Sequence, residues 1–312
     1  MTTSIALSRR SMLASLLAVP FAARLSASPT TALLGSITGN EPATYSRFAN
    51  WFGRKPQLAQ LAFNQMSKTK LSRSTSYIVE RGKEFMDLGA QILWSVPCPG
   101  RGQLEAIVSG THDAMYRSIM EQILAASPTG TAPILVRPPW EFNLAGQENA
   151  AQDKAGNWDA SLFVAAWRRI ATIIRQVSRR FQRIWCPNVT TMALDPARCW
   201  PGSDHVEIVA QDFYMQKAYN KAGDFDWFRT EARGLQWGAE FARARGKRYG
   251  LSEWGMDSDV YTDDLAAAAT WLKSLGALAH HHCWWDRPEV IDCRISDGAH
   301  PKLGAVYKQQ FL

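Results

Sequence analysis

Two glutamates stand where short apolar runs of β type end. Ile134-Leu135-Val136-Arg137-Pro138-Pro139 delivers Trp140-Glu141-Phe142-Asn143, and Tyr249-Gly250-Leu251-Ser252 delivers Glu253-Trp254-Gly255. Cleavage of a glycosidic bond needs such a pair: one carboxyl protonates the departing oxygen, the other attacks or stabilises the positively charged sugar carbon. In that scheme Glu141 is the acid/base, which requires a raised pKa, and Glu253 is the nucleophile, kept ionised by hydrogen-bond donors. Both roles fall to carboxylates, so no cofactor and no metal ion are expected. Either glutamate alone would read as a salt-bridged strand end; two in matching positions point to catalysis.

The elements that must position them follow from periodicity. Apolar runs of strand length recur at Ala32–Thr38, Leu61–Gln65, Gln91–Pro97, Pro133–Pro138, Arg183–Cys186, Val206–Tyr214, Arg248–Glu253 and His280–Trp285. Helical spacing of apolar residues fills segments between them, including Thr111–Ala126, Asp159–Arg179, Asp226–Arg245 and Asp263–Leu278. Eight strands alternating with helices predict a single-domain (β/α)8 barrel of the TIM type, and no Gly-rich phosphate loop supports an open nucleotide-binding sheet. Chemistry in such a barrel lies at the carboxyl ends of the strands. Strands four and seven can hold two carboxyl groups roughly 5 to 5.5 Å apart, a separation that leaves no room for a water and predicts retention of configuration.

Four blocks of residues resemble the family 26 glycoside hydrolases, whose best-known members are endo-β-1,4-mannanases on a (β/α)8 barrel. Arg137-Pro138-x-x-Glu141-x-Asn143 resembles the acid/base block of that family, and Trp185-Cys186-Pro187-Asn188 its strand-five ending. Pro201-Gly202-x-Asp204-x-Val206-Glu207-x-Val209-x-x-Asp212-x-Tyr214 is similar to the next block, and Ser252-Glu253-x-Gly255 to the nucleophile block. The blocks occur in family order. The resemblance implies that Glu141 is the acid/base, that Glu253 is the nucleophile and that the Tyr214 hydroxyl hydrogen-bonds the nucleophile. It further implies that Arg137 and Asn143 support the acid side and that Trp284 forms the apolar floor under the sugar being cleaved. Adjacent strand residues face opposite ways, so Trp284 and Trp285 divide between the pocket and the packing of the barrel.

Two departures bear on the substrate. Mannanases of this family usually carry His before the acid/base, where this chain has Trp140, and their Trp-His ending of strand three is replaced by Pro97-Cys98-Pro99. The resemblance therefore implies the barrel, the two glutamates and the retaining endo mechanism more directly than it implies mannose. A glucan or a bacterial exopolysaccharide is the alternative polymer, an editing hydrolase for the cell's own exopolysaccharide the alternative role, and a non-catalytic carbohydrate-binding barrel the alternative to an enzyme.

Composition bounds the rest. The 312 residues are 46% hydrophobic and 20% charged, which is globular. Of the net charge of +7, three arginines, Arg9, Arg10 and Arg24, fall within an acid-free stretch of 27 residues at the amino end, leaving +4 elsewhere and no argument for nucleic acid. Ser8-Arg9-Arg10-Ser11-Met12-Leu13 followed by the apolar Leu13–Ala23 reads as a twin-arginine-like export signal over 1–27, with the catalytic barrel over 28–312. A periplasmic or secreted monomer without a membrane span is expected, with a polysaccharide as its partner. Five cysteines leave at least one unpaired; Cys186 with Cys199 and Cys283 with Cys293 are near enough in sequence to bridge, and buried thiols are the equal alternative. His280-His281-His282 reads as packing rather than a metal site, because strand neighbours alternate in direction.

Overall fold

The computed structural model describes residues 32–63, 67–190 and 193–312, so the export signal expected over 1–27 lies outside the described residues. Eight parallel strands close into a barrel in sequence order: β1 (Leu33–Ile37), β2 (Leu58–Ala62), β3 (Gln91–Ser95), β4 (Ile134–Arg137), β5 (Phe181–Trp185), β6 (Ile208–Met215), β7 (Arg248–Met256) and β8 (Ala279–Trp285). β8 pairs back onto β1, from Leu33 opposite His281 to Ile37 opposite Trp285. This is the (β/α)8 barrel that the strand count predicts.

Helices cover the outside. α1 (Pro42–Phe52) and α9 (Pro301–Phe311) each start on a proline, whose missing N–H costs nothing in a first turn. α2 (Lys68–Asp87) is capped by Ser67, which accepts from the Lys70 N–H, and α5 (Ala160–Val177) by Asp159, which accepts from the Leu162 N–H at 2.8 Å. α3 (Leu104–Val108), α4 (Asp113–Ala126), α6 (Phe225–Thr230), α7 (Leu235–Arg243) and α8 (Thr262–Ser274) complete the layer. The single helix expected over 226–245 is two. Gly234 sits at the break, where a Cβ would lie 2.4 Å from the Phe228 carbonyl oxygen, so the chain folds back on itself where only glycine fits.

Strand two begins three residues earlier than the run Leu61–Gln65 suggests, because pairing of Leu58 with Gln91 sets its register; residues 64–66 of that run lie outside the described residues. The other seven strands overlap their expected runs.

Strand alternation divides the core in two. Ile37, Leu58, Leu93, Leu135, Ile184 and Ile208 fill the barrel interior, while Leu34, Ala59, Trp94, Val136, Trp185 and Val209 face the helices. Small residues make room inside: a Cβ on Gly250 would stand 2.4 Å from the His281 ring. His281 lies within the barrel, bonded to Ser252 Oγ at 3.0 Å and His280 Nδ1 at 2.8 Å. His282 faces outward onto Phe311 and Trp254. Burial lowers the pKa of all three histidines.

The same alternation decides the thiols. Cys186 and Cys283 belong to the interior, Cys199 and Cys293 to the outer layer, so neither suggested pair forms and all five cysteines are free and buried. Among the described residues no helix is long and apolar enough to cross a membrane.

Candidate active site

A cleft of about 990 Å³ opens over the carboxyl ends of the strands, with Gln60, Trp140, Glu141, Asn188, Tyr214, Glu253 and Trp285 among its lining. One carboxylate oxygen from each of Glu141, Asp212 and Glu253 lies within 4.8 Å of the other two. Strands four, six and seven thus converge three acids on one point.

Glu253 is the best supported of the three. Tyr214 donates its hydroxyl to Oε2 at 2.8 Å, Gln60 donates Nε2 to Oε1 at 2.9 Å, and Arg137 donates Nη2 to the same oxygen. Three side-chain donors thus converge on this one carboxylate. Arg137 is fully buried and bridges onward, donating Nη1 to Asp212 Oδ2 at 2.7 Å and Nε to Ser95 Oγ at 3.1 Å. Its guanidinium also lies over the Trp140 ring, 4.4 Å from the centroid. Three carboxylates so close could also hold a divalent cation, but here the Arg137 guanidinium takes up Asp212 and Glu253. Burial pushes Asp212 well above the usual carboxylate range, against the pull of Arg137, and Cys186 donates its thiol to Asp212 Oδ1 at 3.1 Å.

Glu141 sits in the opposite environment. Its carboxyl accepts from Asn188 Nδ2 at 2.6 Å. Burial first, and then the charge of Glu253, raise its pKa from 4.5 to about 7, with the Asn188 hydrogen bond and Arg137 opposing the rise. Its backbone is strained: among the described residues only Glu141 (φ 49°) and Val290 (φ 68°) adopt positive φ without being glycine, and both line this cleft. The Glu141 N–H donates to the Cys186 carbonyl at 2.8 Å, which ties the strained turn to the end of β5. Strain of this kind persists where the surrounding structure overdetermines it, commonly at a functional site.

No family model and no curated protein sequence matches the chain. Solved structures do match its fold. The catalytic domain of a glycoside hydrolase family 26 endo-β-1,4-mannanase from Bacillus sp. JAMB-750 superposes with a TM-score of 0.64 over 90% of this chain and 87% of its own, at 16% identity. A family 26 protein from Muricauda gives 0.62 over 90% and 86%, at 16% identity. A modular endo-β-1,4-mannanase from Cellulomonas fimi gives 0.62 over 87% and 70%, at 14% identity. The fold is family-26-like.

Within this family-26-like barrel the residues singled out in sequence take different places. Glu141, Glu253, Tyr214 and Trp140 line one cleft. Arg137 does not line it; fully buried, it pairs with Glu253 and Asp212, and its charge also opposes the rise of the Glu141 pKa. Asn143 is also buried, and works through Asn188: its Nδ2 donates to the Asn188 carbonyl at 2.8 Å while its Oδ1 accepts from the Asn188 N–H at 2.9 Å. Trp284 is not the floor of the cleft. It faces the helices, fully buried against Trp254 and Tyr307, and donates Nε1 to the Cys293 carbonyl, whereas its neighbour Trp285 lines the cleft beside Tyr214.

Three contributors carry no role in the sequence reading. Gln60 is inward on β2, a parity obscured by the late start assigned to that strand. Asn188 and Asp212 stand inside quoted blocks, but only their contacts reveal what they hold. The departure at the end of strand three, Pro97-Cys98-Pro99, is absorbed away from the cleft: Cys98 is buried and its N–H donates to Asn149 Oδ1 at 2.8 Å.

Proposed function

We propose that this protein is a retaining endo-glycosidase that hydrolyses a β-linked polysaccharide of mannan type, and that the segment 1–27 exports it to the periplasm or the medium. The observation that carries the reading is the Glu141–Glu253 pair, with carboxylate oxygens within 4.8 Å and contrasting surroundings. That separation is on the side of the two-step, retaining geometry. Glu253, held by its three donors, attacks the anomeric carbon while Glu141 protonates the departing oxygen. The resulting ester removes the charge of Glu253, which is one of the two causes of the raised Glu141 pKa. Glu141, left as a carboxylate once its proton has gone to the departing oxygen, stays ionised without that charge beside it and takes a proton from the water that displaces Glu253. Tyr214 and Gln60 keep the nucleophile aimed, and Trp285 offers the sugar an apolar face.

Several solved structures with this fold are family 26 mannanases. Trp140 lines the cleft where those enzymes usually carry His, so the polymer is the open part of the reading, and an exopolysaccharide is the second candidate. The test is reducing-end release by the purified protein on mannans, glucans and bacterial exopolysaccharides, with product anomers followed by proton NMR. Retained configuration is expected, and Glu141→Gln lowers turnover about 10²- to 10⁴-fold, the usual worth of a positioned general acid; Glu253→Gln abolishes turnover. Inverted product would sink the double displacement, and turnover surviving in both variants would sink the site.

A further inference from the structure

Arg137 is a cation closed off from water. Its side chain is fully buried on β4, and each edge of the guanidinium has a partner: Nε donates to Ser95 Oγ at 3.1 Å, Nη1 to Asp212 Oδ2 at 2.7 Å, and Nη2 to Glu253 Oε1. A guanidinium is planar and its N–H groups lie in that plane. The three bonds therefore fix Arg137 within the plane and resist a tilt out of it only weakly.

Trp140 meets the cation from outside that set of bonds. The Arg137 Cζ lies over the Trp140 ring, 4.4 Å from its centroid, and Trp140 is only 4% exposed although it lines the cleft. Arg137 does not line the cleft, so it is the indole, with the cation against its ring, that meets the cleft here. An indole suits the place. Its electron-rich face attracts a cation and asks no hydrogen bond of it, which leaves the three N–H partners undisturbed. Histidine, usual before the acid/base in family 26 mannanases, has a smaller ring that becomes a cation when protonated and then repels a guanidinium.

The nucleophile depends on how Arg137 lies. Glu253 Oε1 receives Arg137 and Gln60, and Oε2 receives Tyr214. A tilt of the guanidinium withdraws one donor from Glu253 and one from Asp212 together. Asp212 cannot follow it freely, because its other oxygen accepts from the Cys186 thiol at 3.1 Å. Glu253 then turns on its remaining donors, and a reacting atom misplaced by about 1 Å loses about 10²-fold in rate.

We propose that Trp140 is a positioning residue that acts through Arg137: its ring holds the buried guanidinium in line with Asp212 and Glu253, and so keeps the Glu253 carboxylate aimed at the anomeric carbon. The effect on turnover rests on the glycosidase reading; the hold on Arg137 does not. The ring face turned to the cation is closed to a sugar, so the contribution of Trp140 falls on kcat and not on KM.

Fluorine on the indole tests this, because it withdraws electrons from the ring face and leaves the shape nearly unchanged. Tryptophans bearing one, two and three fluorines are placed at position 140 alone, beside Trp140→Phe and Trp140→Leu. Steady-state kinetics on the polymer that the wild type cleaves and the urea midpoint are measured for each. With each added fluorine kcat falls, reaching about tenfold with three, while KM stays within about twofold. Trp140→Leu loses about tenfold in kcat and Trp140→Phe restores most of it, since phenylalanine keeps an aromatic face. The urea midpoint falls in the same order. Unchanged kcat and midpoint across the fluorinated series, with Trp140→Leu impaired, reduce Trp140 to packing and overturn the proposal; a rise in KM at constant kcat overturns it in favour of direct sugar contact. A wild type without turnover on any polymer sinks the glycosidase reading separately, and the urea midpoints of the fluorinated series still decide the hold on Arg137.

Discussion

At the scale of single residues, Glu141 carries the sharpest consequence. Folding moves its pKa from 4.5 to about 7, first through burial and then through the charge of Glu253. Between those pH values the folded chain keeps a proton that the unfolded chain has released, so the group's contribution to stability is complete below about pH 4.5 and is lost as pH rises through about 7. The loss is at most about 3 kcal/mol, reduced by water in the open cleft. Glu141→Gln, which cannot ionise, is therefore expected to be more stable than the parent at pH 8, with the gain shrinking towards pH 4; urea denaturation at both pH values checks this, and an equal effect at both would contradict it. Activity has the matching sign, falling as pH rises through about 7 because the acid form is required in the first step. The types of Glu141 and Glu253 and their places after β runs were legible in sequence. Their contrast was not, because it comes from Gln60, Arg137 and Tyr214 meeting at one carboxylate and Asn188 at the other, from four separate strands or strand ends.

At the scale of elements, β8 shows what periodicity can and cannot tell. Trp284-Trp285 must split between two faces, and sequence alone does not say which is inward. Pairing with β1 decides it: Trp284 lies opposite Ser36 and Trp285 opposite Ile37, whose side chain fills the interior. Trp284→Ala should thus cost about 3 to 5 kcal/mol of stability, the usual range for a buried tryptophan, with Trp285→Ala costing less stability but raising KM through the lost sugar face. Thermal unfolding beside steady-state kinetics separates the two, and the reverse pattern would mean that the inward face is misassigned. Strand two teaches the same lesson. The run from Leu61 looked like a strand because its residues are apolar, yet pairing with β3 starts the strand at Leu58 and turns Gln60 inward.

At the scale of the whole molecule, closure of the barrel sets both the site and the state of the cysteines. Closure brings β4 and β7 to opposite sides of one mouth and places Arg137 beneath it as a shared brace for Glu253 and Asp212. It also separates the cysteine pairs that lie near in sequence, placing one member of each inside the barrel and one outside. Burial raises the pKa of all five thiols. A thiol reagent is therefore expected to modify none of the five in the native protein at neutral pH and all five after unfolding in guanidinium. Fewer than five after unfolding, without a reductant, would reveal a bridge.

The sequence by itself determined the barrel, the pair of glutamates and the resemblance to family 26, because those depend on local periodicity and on residue types that recur at strand ends. Which tryptophan lines the cleft, that Arg137 and Asn143 hold other site residues from outside it, and that Tyr219, Trp227 and Val290 come to line the same cleft were decided by tertiary structure alone. Those facts depend on strand register, on barrel closure and on loops meeting from distant positions in the chain, and no short-range pattern encodes a meeting of that kind.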